Sequence, residues 1–282
     1  MNAGEIRIDA LLPPEMALRA EYLGVRKAEA PLLATFTLAL LAGAFISLGA
    51  VFSTTVAAGA SGVVPYGIVR LLAGLVFTVG LVLVIVGGAE LFTGNNLIVM
   101  AWAGRKVSSR GLLGNWGVVY AGNFVGAIGT VLLVFVSRQY TFGGGSVGTT
   151  ALATAAAKVD YGFVQAVALG VLGNALVCLA VWLTFSARST IDRIAAIILP
   201  IAAFVAAGFE HSIANMYFIP IGLFIKAFDP TFTAASGVDV SRLTWQSFLL
   251  ANLLPVTVGN IIGGAVLVAA VYWFVFLHRS ER

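Results

Sequence analysis

Apolar residues in this chain run in long blocks. They neither alternate nor keep to a narrow helical stripe. The blocks cover residues 31–58, 71–104, 112–137, 161–187, 194–225 and 246–277. A helix needs about 20 apolar residues to cross roughly 30 Å of hydrocarbon. Four blocks are read as one crossing each with some tilt, the longest being the sixth at 32 residues. The second and fifth, at 34 and 32 residues, would reach about 50 Å as single helices.

Polar residues and glycine interrupt each long block midway. The second block holds Gly88-Ala-Glu-Leu-Phe-Thr-Gly-Asn95 and the fifth holds Gly208-Phe-Glu-His-Ser-Ile-Ala-Asn215. Both read G-x-E-x-x-x-x-N. Irregular backbone persists at membrane depth only where it lines a cavity, so each block predicts two half-helices joined by an unwound turn. No Lys, Arg or Asp lies between Ile194 and Ile225, and a titratable ring there, His211, marks a solute path. Paired interrupted segments are the sequence sign of a transporter's binding site.

The halves match elsewhere. Asn115, Gly122, Asn123 and Gly126 share the spacing N-x6-G-N-x2-G with Asn252, Gly259, Asn260 and Gly263. Blocks one and four correspond more weakly, through Gly43 and Asn174. The glycines suit close helix approach and the asparagines suit packing and capping. Three crossings per half bring the second copy in from the opposite face, an inverted repeat with its breaks near the midplane. The expected fold class is therefore an all-α integral membrane protein. It has six transmembrane helices in two inverted three-helix repeats, about 31–137 and 160–277, in one domain over 1–282. Residues 14–28, with Leu18, Tyr22 and Val25 on one face, predict a surface helix ahead of the first span.

Composition agrees. The chain is 60% hydrophobic and 10% charged, with mean hydropathy +1.01, against roughly 25% charged residues in soluble domains. A single cysteine, Cys178, excludes an intrachain disulfide and reads as a small buried side chain. The N-terminus lacks the basic leader of a cleavable signal peptide. The pI near 9.4 does not point to nucleic acid, because the bases are spread over loop ends. Arg7, Arg19, Arg26, Lys27, Arg105, Lys106, Arg110, Arg188, Arg193, Arg279 and Arg282 fall on one side. Arg70, Arg138, Lys158, Lys226 and Arg242 fall on the other. The positive-inside rule then puts both termini in the cytoplasm.

Half-helix ends aim unpaired backbone groups inward, and N-terminal ends attract anions. Gly94 suits a turn, while Thr93, Asn95, Ser212 and Asn215 can cap exposed backbone. The Thr93 hydroxyl and the His211 ring can hydrogen-bond a small anion, and His211 can hand it a proton. Ionised Glu90 and Glu210 would repel an anion, so they read as supports for the breaks. Lys158, at the start of the fourth span, is an available counter-ion, and Asn174 is a further polar group at that depth. An intramembrane metal enzyme is the rival from another class. Glu210-His211 is not H-E-x-x-H and no G-x-S-x-G occurs, so neither cofactor nor metal is expected. The paired Asn-Pro-Ala caps of a neutral-solute channel are missing. The other histidine, His278, falls in the tail expected in the cytoplasm, so the paired pore histidines of an ammonium channel are missing.

On GAELFTGN, GFEHSIANM and PVTVGNIIGG the chain resembles the formate/nitrite transporter family, over about residues 20–277. The resemblance implies an aquaporin-like fold in a bacterial-type cytoplasmic membrane. It implies a homopentamer with one pore per protomer and a lipid-filled central axis. Its solutes would be formate, nitrite, hydrosulfide, lactate, acetate and related small monovalent acids, with a proton as partner. It places His211 opposite Thr93, with Asn215 beside the path. It implies an outer constriction of Phe77, Leu81 and Phe204 and an inner one of Leu91, Val177 and Ala214. Lys158, Asn174 and Glu210 form the implied polar network, with Glu90 the matching carboxylate of the first break. The run Met216-Tyr-Phe-Ile-Pro220-Ile-Gly-Leu is nearer the formate-channel branch.

Overall fold

A computed structural model of the chain describes residues 11–278; Arg7, Arg279 and Arg282 of the charge argument lie outside them. Every regular element among the described residues is helical, and six helices are long and apolar enough to cross a membrane. In chain order the elements are α1 (Pro13–Ala28), α2 (Leu32–Ala57), α3 (Tyr66–Gly87), α4 (Val99–Ala103), α5 (Ser109–Val136), α6 (Ser146–Val159), α7 (Phe163–Thr184), α8 (Thr190–Ala207), α9 (Ser212–Phe228), α10 (Pro230–Ala235) and α11 (Ser247–Phe276). A 3-10 turn, Gly94–Ile98, leads into α4.

Both long blocks break where the shared skeleton begins. Gly88 and Gly208 end α3 and α8 at φ +79°, a left-handed conformation that glycine adopts without strain. The first block divides unequally, not into the half-helices expected. Its first piece has 22 residues, about 33 Å of helix, and its second is the short turn and α4. The fifth block divides into 18 and 17 residues.

The repeat is larger than three helices per half. A helix absent from the sequence-based prediction, α6, precedes α7 as α1 precedes α2. Each of these short helices carries a lysine in its last turn, Lys27 or Lys158. Lys158 thus belongs to α6 and not to the start of the fourth span. In α1 the buried stripe is Met16, Ala17, Ala20 and Gly24, while Leu18 and Tyr22 point outward. The α1 and α6 ends define the two faces of the molecule.

Span six also departs from a plain helix. It widens to π geometry over Ser247–Leu253 and again over Ile262–Ala270. The first widened stretch runs into Pro255, whose ring would clash with the carbonyl four residues back in a regular α-helix.

Close approach between helices rests on matched glycines. A Cβ on Gly126 would meet the backbone carbonyl of Leu40, and one on Gly263 the carbonyl of Val171. Gly126→Ala and Gly263→Ala are each expected to cost about 3 kcal/mol through overpacking. Gly129→Ala, with open space at its Cβ, should be neutral. The fraction of detergent-solubilised protein that stays monodisperse after heating will rank the three.

Candidate functional site

Two carboxylates in the breaks organise the site. Glu210 lies one residue before His211 and is 1% exposed; its Oε1 is 2.5 Å from Lys158 Nζ. Its Oε2 accepts from the Asn215 amide at 2.6 Å and from the Asn252 amide at 3.3 Å. Glu90 has the corresponding lysine and following asparagine, while Asn115 reaches Asn95 and not the carboxylate. Glu90 Oε1 is 2.7 Å from Lys27 Nζ, and Oε2 accepts from the Asn95 amide at 2.7 Å. Asn252 donates to the Lys158 carbonyl at 2.8 Å, and Asn115 donates to the Lys27 carbonyl at 3.0 Å. Glu90 therefore pairs with Lys27, not with Lys158. Sequence reasoning used Lys27 only for orientation. The signal for it was present: Lys27 and Lys158 each stand five residues before Leu32 and Phe163, the first residues of α2 and α7.

The second asparagine pair pins the unwound backbone. Asn123 accepts from Phe92 N at 3.0 Å and donates to the Glu90 and Ala39 carbonyls. Asn260 accepts from Ser212 N at 2.9 Å and donates to the Glu210 and Gly170 carbonyls. The breaking turns thus have their backbone groups satisfied by side chains, as apolar surroundings demand.

Symmetry ends at the centre. Thr93 and His211 each immediately precede the second piece of a broken block, and both are buried. His211 Nε2 lies 2.8 Å from Thr93 Oγ1, joining the two breaks. His211 is also the N-cap of α9, where Nδ1 accepts the Ala214 N–H at 3.1 Å. An accepting Nδ1 carries no proton, so the neutral ring holds its proton on Nε2 and donates it to Thr93 Oγ1. The Thr93 hydroxyl proton is then free for a further acceptor. Thr93, Asn95, Ser212 and Asn215 do not cap backbone as anticipated; at the second break that role falls to His211.

A cavity of about 90 Å³ opens on the α6 side, lined by Arg70, Phe77, Lys158, Phe204, His211, Ala214, Asn215 and Phe218 among others. One of about 310 Å³ opens on the α1 side, lined by residues including Arg19, Lys27, Leu81, Glu90, Leu91 and Arg193. Each cavity lining holds only part of an implied constriction set. Phe77 and Phe204 share the α6-side cavity, with ring centroids 5.9 Å apart, and Phe204 lies 5.9 Å from the His211 ring. Leu81 instead lines the α1-side cavity with Leu91, while Ala214 lines the α6-side cavity, because the helical turn after His211 carries it there. Val177 is buried and lines neither of these two. Phe218 was not anticipated; it stacks at 6.4 Å on Phe77, with the Lys158 ammonium 5.4 Å over its ring.

Asn174 does not join the Lys158–Glu210 pair. Its amide donates to Asn96 Oδ1 at 2.8 Å, to the Asn260 carbonyl at 2.7 Å and to the Thr93 carbonyl at 3.4 Å. Span four carries it to the centre, a helix away from Lys158. There it ties the first break to the helix that pins the second. Cys178, one turn on, donates to the same Thr93 carbonyl at 3.2 Å. Among the described residues no three His, Cys, Asp or Glu side chains converge as metal ligands do.

A family profile described as "Formate/nitrite transporter" matches residues 14–274. The chain is 47% identical to the formate channel FocA of Escherichia coli (strain K12), over 97% of each chain. It is 40% identical to the formate channel FocA of Haemophilus influenzae, over 91% of this chain and 92% of the relative. A solved structure described as a pentameric formate channel with formate bound superposes with a TM-score of 0.82 at 46% identity, covering 87% of this chain and 98% of that one.

Removing one partner of a buried ion pair leaves the other charge uncompensated, at about 3–5 kcal/mol. The Lys158 and Glu210 side chains are 14% and 1% exposed, against 33% and 15% for Lys27 and Glu90. Glu210→Gln should therefore destabilise more than Glu90→Gln, and adding Lys158→Met to Glu210→Gln should restore part of the loss. Thermal unfolding in one detergent checks both orderings.

Proposed function

The chain belongs to the formate/nitrite transporter family, and on that premise we propose that it is a channel for small monovalent anions, formate foremost. In this reading passage is linked to a proton at His211. The observation that carries it is the bond from His211 Nε2 to Thr93 Oγ1, a pair of buried donors at the meeting of two breaks, with a cavity on either side. Formate is preferred because the relatives at 47% and 40% identity are named formate channels. We also assign a homopentamer, one pore to a protomer, on the likeness to a pentameric formate channel. The α1 face is taken as cytoplasmic, both termini with it, because Arg19, Lys27, Arg105, Lys106, Arg110, Arg188 and Arg193 fall on that side.

An anion entering from the α6 side meets Phe77, Phe204 and Phe218, where an unpaired charge is expensive. Beyond them Nε2–H and the Thr93 hydroxyl replace lost water. Protonation turns the solute into a neutral acid for the apolar passage. A ring that gives up its Nε2 proton must hold one on Nδ1, the nitrogen that caps α9. Proton transfer from His211 therefore goes with loss of the Ala214 N–H bond. Asn215 supports this geometry from beside the path, through Glu210 and Asn252.

Electrogenic flux of formate, nitrite, acetate, lactate and hydrosulfide is to be compared on reconstituted protein across about pH 4 to 8, a window that brackets an ordinary imidazole. The expected result is formate first, with acid-side flux falling on the order of a hundredfold in His211→Asn and the pH dependence disappearing. A preference for nitrite would overturn the formate assignment. An unchanged pH profile in His211→Asn would overturn the proton link.

A further inference from the structure

Two cations line the α6-side cavity, and they differ in how their charge is balanced. Lys158 is matched by Glu210 at 2.5 Å. Arg70, in the first turn of α3, has no carboxylate partner among the described residues. Its guanidinium donates instead to backbone in the last turn of α8, from Nη2 to the Val205 carbonyl and from Nε to the Ala206 carbonyl at 3.4 Å. Those carbonyls are the negative end of a helix dipole, equivalent to about half a charge at most. No Asp or Glu lines the cavity. Four hydroxyls also line it, on Ser53, Thr54, Thr150 and Thr154, among apolar side chains.

Resting on the anion-channel reading above, we propose that Arg70, not Lys158, recruits the anion at the α6 face and sets its apparent affinity there. The Lys158–Glu210 pair contributes nearly zero net charge to the vestibule, so its field falls off as a dipole's does. Arg70 contributes a lone, permanent charge in a narrow cavity with low-dielectric walls, the arrangement that focuses a field and concentrates counter-ions. A guanidinium offers five N–H donors, and the two carbonyls occupy only part of that fork. The remaining donors are available to a carboxylate on its way to His211. The same contact holds the end of α8 three residues before Gly208. Arg70 thus also positions the second break, and any test must separate recruitment from positioning.

The experiment measures formate flux from the α6 face into sided proteoliposomes, for the wild type, Arg70→Gln and Arg70→Lys. Apparent KM is read from about 10 mM to about 0.5 M inert salt, where the screening length falls from roughly 30 Å to a few ångströms. Wild-type KM should rise with salt. Arg70→Gln, which keeps an amide donor for the carbonyls but no charge, should show a KM raised about fivefold at low salt and flat thereafter. Arg70→Lys, which keeps the charge and loses the fork, should stay within about twofold of wild type and retain the salt slope. A purely structural Arg70 predicts the reverse, with Arg70→Lys as impaired as Arg70→Gln and neither changing the slope. Wild-type KM and slope in Arg70→Gln overturn the proposal, as does loss of the slope in Arg70→Lys, so either variant decides it if the other fails to fold. Wild-type protein that carries no formate at all would overturn the transport reading instead, which separates the two failures.

Discussion

A carboxylate cannot stand unpaired inside a bilayer, and this chain puts one in each of two unwound segments. Glu90 and Glu210 each collect a lysine ammonium and asparagine amide donors. The lysines arrive on α1 and α6, an asparagine comes from the segment after each break, and for Glu210 a second, Asn252, comes from α11. Glu210 thereby fastens four parts of its repeat at one point, and Glu90 fastens three directly and α5 through Asn95. This constraint explains why the repeat unit includes a short helix before its three spans. Without that helix the carboxylate would lack its counter-ion, and the break would expose a charge to hydrocarbon.

The frame is duplicated, but the pore is not. The backbone N–H of Glu90 donates to Leu38 O and that of Glu210 to Leu169 O, each at 3.2 Å, so the two breaks start from the same anchoring. Within them the residues diverge. Where the first break has Leu91 after its glutamate, the second has His211. Where the first has Thr93, the second has Ile213. Two identical polar centres would face each other as equals. The divergence yields one donor pair, His211 with Thr93, bounded by Phe204 and Phe77 on one side and by Leu91 and Leu81 on the other. Gly43 and Asn174 are a further divergence. Asn174 supplies the only span-four amide that reaches the Thr93 carbonyl among the described residues, and so fixes the hydroxyl's presentation to the ring.

Much of this was legible from spacing alone. Block lengths above what a bilayer needs, together with polar and glycine residues at the midpoints, revealed both breaks, and the shared N-x6-G-N-x2-G spacing paired α5 with α11. Other features carried no such signal. α6 is rich in alanine and threonine and only 14 residues long, so it falls below any length or hydropathy criterion for a span. The unequal cut of the first block depends on where the chain turns back, which hydropathy does not register. Constriction residues are ordinary apolar residues in an apolar sequence. Only the rotation of each helix assigns Leu81 to one cavity and Ala214 to the other. Pairing of charges is likewise a three-dimensional fact, and so Lys27 and Arg70 passed as mere markers of orientation.

His211 joins two jobs that proteins usually keep on separate residues. Through Nδ1 it starts α9, and through Nε2–H it closes the contact between the breaks. The cap fixes the tautomer, so the ring faces Thr93 as a donor. An anion that replaces Thr93 as acceptor exchanges one hydrogen bond for a stronger, charge-assisted one and leaves the cap intact. Protonating Nδ1 costs the cap and leaves the Ala214 N–H opposed to a like donor. Binding and proton transfer thus differ in what they ask of the helix: the first leaves α9 as it is, and the second disturbs its first turn. With Glu210 locked one residue earlier and Asn215 four residues later, that disturbance has little backbone to spread into. Under the proposed proton link, the pinned network therefore favours a neutral ring that donates, and ring protonation is a brief state that an arriving anion must stabilise.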